Sequence, residues 1–503
     1  MQAYALDRSA AAFESSVEEF GRTVSWLGGS EAAAMTHGEV ESHLEERGRE
    51  LLRQMFQDHL DVRAQREVRR VEVTGADGVA RRSVEEGHGR GLRTVFGEVE
   101  AKRLAYRQRG HSNLHPADVG LNLPAERHSH GLRRLAAIES ARGSFEEAVG
   151  AIERSTGQHL GKRQVELLAQ RAAQDFEAFY QERPRSLSAL GDLLTLTCDG
   201  KGIVMRTESL REGTRKAAES KTTKLKTRLS RGEKSNRKRM AEVGAVYDCT
   251  PVSRGAFDIL ARSPQEKERA IEGPRARSKW LTASVVQDAR EVIAALFDEA
   301  LRRDPDRRRP WLVLVDGLNH QIECIEAEAA KRGVHVPILV DFIHVLEYLW
   351  KAAWCFFEEG DPEAEDWVHR HAFTILQGRS SDVAGAIRRK ATCLELPQEQ
   401  RANANKCANY LIAKRPYLDY PTALERGWPI ATGVIEGACR HLVKDRMDIT
   451  GARWGLDGAE AVLKLRALRT NGDFDDYWRF HLNREQQRVH LSRYETKPTP
   501  TPS

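Results

Sequence analysis

The chain has 503 residues, a net charge of +5 at neutral pH and seven cysteines. This length predicts two or more domains, and an apolar share of 40% with a charged share of 30% favours a soluble globular protein. No long uncharged apolar run occurs, the N-terminus carries acids, and the cysteines stand singly, so we expect a cytoplasmic protein without membrane span or secretion signal.

The first 110 residues are predicted to form a helical and small β region. Apolar residues recur at helical spacing in Val40–Gln65. Val68–Arg109 then alternates basic and apolar residues around a turn at Ala76–Gly78, which is typical of a small antiparallel sheet.

Residues 111–186 are predicted to form a helix-turn-helix-like DNA-binding region. Helical spacing covers Leu132–Tyr180, and a Ser-Thr-Gly turn precedes a helix whose first residues, Lys162, Arg163 and Gln164, would face DNA. A plain helical hairpin fits the same pattern nearly as well. Four histidines precede these helices, but no cysteine accompanies them and metal binding is the weaker interpretation. They are His111, His115, His128 and His130.

Strands are predicted from Leu193 onward. Leu193–Cys198 is expected to return as Ile203–Arg206 across an Asp-Gly-Lys-Gly turn. The later elements, in chain order, are the strand Ala241–Cys249, the helix Ser284–Arg303, the strand Trp311–Val315, the helix Gln321–Arg332 and the strand Val334–Val340. The order β-β-β-α-β-α-β, followed by a final helix, is that of an RNase H-like α/β fold with a mixed sheet, in which the first and fourth strands are neighbours.

This core is predicted to be interrupted by helices. Phe342–Pro429 is rich in helical spacing and aromatic residues and is too long for a loop, so we expect an inserted all-α subdomain with its own core. The predicted boundaries are 187–345 for the first part of the catalytic core, 346–430 for the all-α insertion, 431–472 for the final core helices, and 473–503 for a C-terminal helix and disordered tail.

Three acids are placed where a catalytic metal would need them. Asp199 and Asp316 each end an apolar strand before a glycine, and Glu436 lies in the first turn of a helix. Carboxylates suit two Mg²⁺ ions, with Mn²⁺ able to substitute, and Asp199 would bridge both ions while the other two acids each hold one. Gly200 and Gly317 would leave room for a phosphate. Structural roles are the alternative, since Asp-Gly is a common turn and acids favour helix starts.

Positive charge is concentrated after the first of these acids. Residues 207–239 contain 12 Lys and Arg and 4 Glu, a net +8, so the rest of the chain is net acidic. Beside a phosphodiester site this insertion is interpreted as a clamp on the DNA backbone, and a solvated loop is the alternative. The cations and aromatic residue expected to contact DNA are Lys201, Lys221, Lys224, Lys226, Arg228, Arg440, Lys444, Arg446, Arg453 and Trp454.

A further pair, Asp341 and His344, follows the last predicted strand as D-x-x-H. It is expected at the rim of the site, where it would position DNA. A helix-capping aspartate with a buried histidine is an equally consistent interpretation.

With these residues assembled, the chain resembles bacterial insertion-sequence transposases of the DDE type, specifically the ISKra group. The resemblance extends from about Phe96 onward. It is carried by LTCDGKGIVMR, KRMAEVGAVYDCTP, LVLVDGLNHQ, DFIHVLEYLWKAAW and TGVIEGACRHLVKDRMDITGARW.

The resemblance implies an RNase H-like core with an α-helical insertion and Asp199, Asp316 and Glu436 as the acidic triad. It implies Mg²⁺-dependent cleavage at element ends, joining of 3′-OH ends to target DNA, and a homodimer or higher oligomer on double-stranded DNA near the bacterial nucleoid. Asp341 and His344 match the C/D-x-x-H motif of Mutator and hAT-like transposases. Some related enzymes carry a zinc ribbon near YRQRGHSNLHP, which has no cysteine here.

Two other functions remain open at this point. One is a non-catalytic DNA-binding regulator derived from a transposase, which the presence of all three acids disfavours. The other is a structure-selective nuclease of the same fold, which would cut branched DNA without preferring terminal repeats.

Overall fold

The computed structural model describes residues 12–184, 189–220, 237–449 and 451–495. The chain divides into two compact units, Met1–Glu182 with Gly472–Ser503, and Arg183–Asn471. The architecture is mixed α/β. In the described part of the chain, no helix is both long and apolar enough to cross a membrane.

The first unit consists of helices around two short antiparallel sheets. Strands β1 (Val73–Thr74) and β2 (Ala80–Arg81) form one sheet, and β3 (Ser83–Arg93) and β4 (Glu98–Arg107) form the other. The predicted turn at Ala76–Gly78 is therefore confirmed. The helices are Glu14–Leu27, Ser30–Ala33, His37–Gln65, Pro116–Leu121, His130–Arg142, Phe145–Thr156, Lys162–Ala172, Phe176–Glu182 and Phe474–Glu485, followed by the π-helical Gln486–His490 and the 3-10 turn Leu491–Arg493.

The predicted pair of short helices is present in this unit. Ser144 caps the helix Phe145–Thr156 with a reciprocal bond to Glu147, and Gly157 ends that helix with a φ of +68°. The next helix begins at Lys162. Leu132, Ile152 and Val165, one from each of three helices, are among the buried residues that form the core between them.

Three of the four histidines near these helices have separate hydrogen-bond partners. His111 lies 3.1 Å from Asp77, His115 lies 3.0 Å from His88, and His130 lies 2.7 Å from the carbonyl of Asn122. Within the described ranges, no three His, Cys, Asp or Glu side chains are grouped so that they could hold a metal ion.

A buried ionic cluster joins the C-terminal helix to the rest of this unit. The Arg133 guanidinium donates to both carboxylate oxygens of Glu485, at 2.7 and 2.6 Å, and His481 lies 2.7 Å from Asp175. Burial alone would raise the pKa of Glu485, but the hydrogen bonds from His481 and Arg133 lower it to about 2. The charged pair is therefore maintained in a site from which water is excluded.

The second unit is built on a five-stranded mixed sheet in the order β7-β6-β5-β8-β9. The strands are β5 (Leu193–Val204), β6 (Lys238–Cys249), β7 (Ala276–Ser284), β8 (Trp311–Val315) and β9 (Ile338–Val340). β5 pairs antiparallel with β6 and parallel with β8, and β9 is parallel to β8. The predicted contact between the strands that carry Asp199 and Asp316 is confirmed.

The predicted turn at Asp-Gly-Lys-Gly is wrong, because β5 continues through it to Val204 and pairs with β6 along its whole length. A Cβ on Gly200 would lie 2.9 Å from the Met240 methyl, and one on Gly202 would lie 2.8 Å from Lys238 Cδ. These glycines therefore let side chains of β6 cross over β5, as glycines within strands commonly do.

The helix predicted from Ser284 begins later, at Ala289, and Ser284 itself is the last residue of β7. Asp288 caps this helix by accepting from the amide of Glu291 at 3.1 Å. The sequence analysis did not predict β7. This strand lies at the edge of the sheet, beside β6.

Helices cover the sheet and continue well beyond it. They are Glu212–Glu219, Ala256–Leu260, Pro264–Arg269, Ala289–Arg303, Asn319–Arg332, Phe342–Ala353, Pro362–Leu376, Ser380–Cys393, Ala402–Ala413, Tyr420–Glu425, Gly433–Ala438, Asp445–Met447 and Leu456–Thr470, with 3-10 turns at Thr207–Ser209 and Arg415–Tyr417 and a π-helical turn at Cys439–Lys444.

The helical nature of Phe342–Pro429 is confirmed, but the separate core predicted for it is not found. Its buried residues, such as Trp367 and Tyr420, belong to one cluster with Leu193 of β5, Leu312 of β8 and Val340 of β9. The helices therefore cover one face of the sheet and share its core, and partly buried aromatic residues such as Trp350, Phe356 and Tyr410 pack against that core.

We predict that Arg133→Leu lowers the free energy of unfolding by about 3 kcal/mol, because it removes the arginine that donates to both oxygens of the buried Glu485 carboxylate and leaves only His481 beside it. Urea denaturation measures the change. Arg134→Leu is the matched control: its partner Asp475 is 78% exposed, and loss of such a surface pair costs less than about 1 kcal/mol. Equal losses in the two variants would contradict the prediction.

Candidate active site

A cavity in the second unit collects the acids that the sequence singled out. Five carboxylic acids and one histidine line it, and no Lys or Arg among the described residues does so. The lining residues are Cys198, Asp199, Asp316, Asp341, Ile343, His344, Glu347, Thr432, Ile435 and Glu436. Such a concentration of negative charge is costly unless cations compensate it, so the cavity is a candidate site for positive ligands.

Two of these acids are placed by the pairing of β5 with β8. The pairing runs in register from Leu194 opposite Trp311 to Thr197 opposite Leu314. Extending the register by two residues sets Asp199 opposite Asp316. Neighbouring strands lie about 4.8 Å apart, so the sheet itself brings these carboxylates together.

Each of the two carboxylates is also oriented by local hydrogen bonds. Asp199 Oδ1 accepts from the amide of Gly200 at 2.6 Å, and its Oδ2 lies 3.4 Å from the Cys439 sulfur. Burial and the charge of Asp199 raise the pKa of the Cys439 thiol. The thiol therefore stays protonated and donates a hydrogen bond to Asp199. Asp316 Oδ1 accepts from the amide of Leu318 at 3.1 Å.

The chain leaves Asp316 through a conformation that requires glycine. Gly317 has a φ of +94°, and a Cβ there would lie 2.7 Å from the Tyr410 hydroxyl. That hydroxyl donates to the Asp316 carbonyl at 2.9 Å. The Tyr410 hydroxyl fills the space beside Gly317, while the exposed Met240 methyl lies beside Gly200, and room for a phosphate at these glycines stays a prediction.

Asp341 connects the last strand to the helix that carries Glu436. It caps Phe342–Ala353 by accepting from the amide of Ile343 at 2.8 Å, and its second oxygen accepts from the Thr432 hydroxyl. Thr432 is the residue before the helix Gly433–Ala438. Both oxygens of this 2% exposed carboxylate are therefore engaged in structure, which favours the capping interpretation of the D-x-x-H pair.

His344 takes a different role from Asp341. It is partly exposed, lines the cavity, and lies edge-on to the Tyr348 and Tyr410 rings at 5.4 and 6.0 Å. The two tyrosine rings stack at 4.1 Å. The imidazole is thus held at the cavity wall by aromatic packing.

Glu436 is exposed and projects from a helix that does not continue as an α-helix. The chain passes into the π-helical turn Cys439–Lys444, whose wider turn changes the spacing of side chains. Arg440 and Lys444, which an α-helix would place on the same face as Glu436, are both exposed but lie within this π-helical turn. The π-helical turn directs Cys439 toward Asp199.

Sequence reasoning missed two further acids near the triad. Glu347 lines the cavity one helical turn after His344, a spacing that could have been recognised. Glu242 lies on β6 opposite Gly200, and burial followed by the charge of Asp199 raises its pKa. Its position within a strand of mixed composition offered no comparable signal.

Some of the residues predicted to contact DNA are exposed to solvent and others are buried. Lys201, two residues beyond Asp199 on β5, and Arg453 are exposed. Arg446 and Trp454 are buried, with the guanidinium 4.7 Å above the indole ring and the indole donating to the Met447 carbonyl. The prediction that this pair contacts DNA is wrong, because each side chain packs against the other inside the protein.

The remaining candidates lie elsewhere. Lys162, Arg163 and Gln164 are exposed at a helix start in the first unit; Lys162 pairs with Glu146 at 3.2 Å, and Gln164 caps its own helix. The insertion residues Lys221, Lys224, Lys226 and Arg228 lie outside the described residues, as does the tail 496–503.

No protein-family model matches the sequence, and no curated protein matches it. What the protein does is therefore inferred from this cavity and its surroundings.

We predict that Thr432→Val destabilises the protein by about 1–3 kcal/mol, because it leaves one oxygen of the buried Asp341 carboxylate without a donor. Urea denaturation measures the change. Thr392→Val is the control, since it removes an exposed bond to the Arg388 carbonyl and should cost little. A loss no larger than that of the control would show that the Asp341 bond does not stabilise the fold.

Gly317→Ala should cost about 1–3 kcal/mol, because it forces a Cβ into the left-handed region and against the Tyr410 hydroxyl. Thermal unfolding is the measurement. The control is Gly213→Ala, which lies in the helix Glu212–Glu219 with nothing within 4 Å and should be neutral or stabilising. An unchanged melting temperature for Gly317→Ala would contradict the conformational requirement.

Proposed function

We propose that the protein is a DDE-type DNA transposase, which cleaves DNA at the ends of an insertion sequence and joins the 3′-OH ends to target DNA. One observation carries the proposal: Asp199, Asp316 and Glu436, which are far apart in the sequence, line a single acidic cavity. Two come from adjacent strands and the third from a later helix, an arrangement that few structural needs explain.

The sheet supports an RNase H-like core. That fold is expected to follow the chain order β-β-β-α-β-α-β with its first and fourth strands side by side. β5 to β9 follow this order, apart from the helix Glu212–Glu219 between β5 and β6 and two short helices between β6 and β7, and β5 pairs with β8. The cavity lies where Asp199 and the end of β8 meet.

The donor chemistry of the cavity fits Mg²⁺ or Mn²⁺, which prefer carboxylate oxygens. In the described ranges, however, the side chains as positioned form no group of three ligands that could hold one ion. Asp199 and Asp316 each accept a hydrogen bond from a backbone amide. A bound pair of divalent ions would supply nucleophile activation and leaving-group stabilisation.

The chain's own residues would perform the remaining tasks. Cys439 donates a hydrogen bond to Asp199, and Tyr410 holds the backbone at Asp316. Lys201, Arg440 and Lys444 are exposed cations beside the acidic residues in sequence, and they would neutralise DNA phosphates without reading bases. The buried Arg446 and Trp454 would contribute packing next to these residues in the sequence.

We expect Asp199→Asn, Asp316→Asn and Glu436→Gln each to slow Mg²⁺-dependent nicking of duplexes from the DNA flanking the gene by more than about 100-fold, since an amide is a poorer ligand for the metal ions than a carboxylate. Gel shift should show unchanged binding of the same duplexes. Asp366→Asn, an exposed acid paired with Arg262, is the control and should nick normally.

Binding of Mn²⁺, followed by electron paramagnetic resonance, gives a readout independent of nicking. The wild-type protein should immobilise the ion, and the three variants should bind it more weakly. Binding of DNA without nicking by the wild-type protein would favour a non-catalytic regulator, and nicking of branched DNA without preference for terminal repeats would favour a structure-selective nuclease.

A further inference from the structure

The two aspartates of the cavity differ in how their backbone is held. Asp199 lies within β5, where pairing with Val243 of β6 fixes its backbone. Asp316 lies one residue beyond the end of β8, in the segment 316–319 that leads to the next helix. Leu318, in the middle of this segment, is 55% exposed, so burial of its side chain does not anchor the segment. The orientation of Asp316 therefore depends on contacts from other elements.

One helix that covers the sheet makes two such contacts. The helix Ala402–Ala413 carries Tyr410, and Lys414 follows at its end, one turn later on the same side. The Tyr410 hydroxyl donates to the Asp316 carbonyl at 2.9 Å, and the Lys414 ammonium donates to the side-chain oxygen of Asn319. Two bonds, one helical turn apart, thus hold both ends of the segment 316–319.

This helix is itself firmly placed. Ala404, Cys407 and Leu411 are each at most 1% exposed and belong to the core that the helices share with the sheet. Tyr410 also stacks on Tyr348, with the ring centres 4.1 Å apart. The hydroxyl that meets Asp316 is therefore carried by a side chain whose ring has little freedom to move.

The lysine is placed in a similar way. Lys414 is only 7% exposed, and an ammonium removed from water needs polar partners. Asn319 supplies one of them. Burial lowers the pKa of Lys414, and the negative charge of Asp316 opposes that shift. Lys414 thus interacts with Asp316 electrostatically, although it is not among the residues that line the cavity.

The Tyr410 side chain has a second contact, made by its ring. His344, on the cavity wall, lies edge-on to that ring at 6.0 Å. The hydroxyl therefore serves Asp316 and the ring serves His344. Phenylalanine at this position would remove the first contact and keep the second, so the two can be separated by substitution.

We propose that Tyr410 is a positioning residue for Asp316 as a ligand of the divalent ions, and that Lys414 assists it by holding the other end of the segment. This inference rests on the proposed function, which gives Asp316 an ion to hold. Groups that orient a metal ligand typically contribute about 10- to 100-fold to metal affinity or activity. The helices inserted after β9 are then part of the candidate site and not only a cover for the sheet.

Titration of the full chain with Mn²⁺, followed by electron paramagnetic resonance, tests the proposal. Tyr410→Phe should raise the Mn²⁺ dissociation constant by about 10-fold, because it removes only the hydroxyl. Lys414→Met should also raise it, and the double variant should show less than the product of the two effects, since both bonds hold one segment.

The matched control is Tyr417→Phe. The Tyr417 hydroxyl donates to Glu326 at 2.9 Å, the same distance as the Tyr410 bond, but Glu326 is not among the residues that line the cavity. This variant should bind Mn²⁺ as the wild-type protein does. All titrations are made at a temperature at which the melting curves, recorded without metal ions, show each protein to be folded.

Nicking kinetics separate positioning from folding. For Tyr410→Phe, kcat at limiting Mg²⁺ should fall about 10-fold while the KM for DNA is unchanged. A higher Mg²⁺ concentration should recover most of the lost rate, since a weakened ion site fills when more ion is present. A protein that was only less stable would instead show a lower melting temperature and no such recovery.

Two results would overturn the positioning role and leave the proposed function standing. One is an unchanged Mn²⁺ affinity in Tyr410→Phe while the wild-type protein binds Mn²⁺ and nicks DNA. The other is an equal loss of affinity in Tyr410→Phe and Tyr417→Phe. A wild-type protein that neither binds Mn²⁺ nor nicks DNA would overturn both this inference and the proposed function.

Discussion

The parallel pairing of β5 with β8 is the contact on which the candidate site depends. It aligns Asp199 with Asp316 at strand separation, and every other feature of the cavity is added around that pair. Backbone amides and the Cys439 thiol donate hydrogen bonds to the oxygens of these two carboxylates. Such donors partly offset the repulsion between neighbouring carboxylates, and a bound cation would offset more of it.

The third acid reaches the cavity through a longer chain of contacts. Asp341 follows the last residue of β9 and caps the next helix. It also accepts a hydrogen bond from Thr432, the residue before the helix that carries Glu436. About 90 residues of helix separate these two partners in sequence. Because those helices share one core with the sheet, the separation does not loosen the connection.

Sequence alone predicted the parts of this site that follow from simple patterns. β8 has the predicted bounds, since five consecutive apolar residues before an Asp-Gly leave few alternatives. β5 was predicted too short, because glycines that admit Met240 and Lys238 from the neighbouring strand look the same in sequence as glycines that make a turn. The Asp341–Thr432 bond, the π-helical turn and the burial of Arg446 under Trp454 depend on partners that are distant or on local backbone geometry. No spacing rule reveals them.

The two ends of the sheet differ in how their charges are treated. Where β5 and β8 begin, Asp248 is buried and paired with Arg303 at 3.2 Å and with Arg309 at 2.6 Å. At the other end, Asp316 and Glu436 line a cavity that receives no cationic side chain from the described residues. A protein that needed these acids only for stability would pair them as it pairs Asp248. Acids gathered without such ion pairs repel one another, and a bound cation would relieve that repulsion. The contrast within one sheet is thus the strongest physical reason to regard the acidic end as functional.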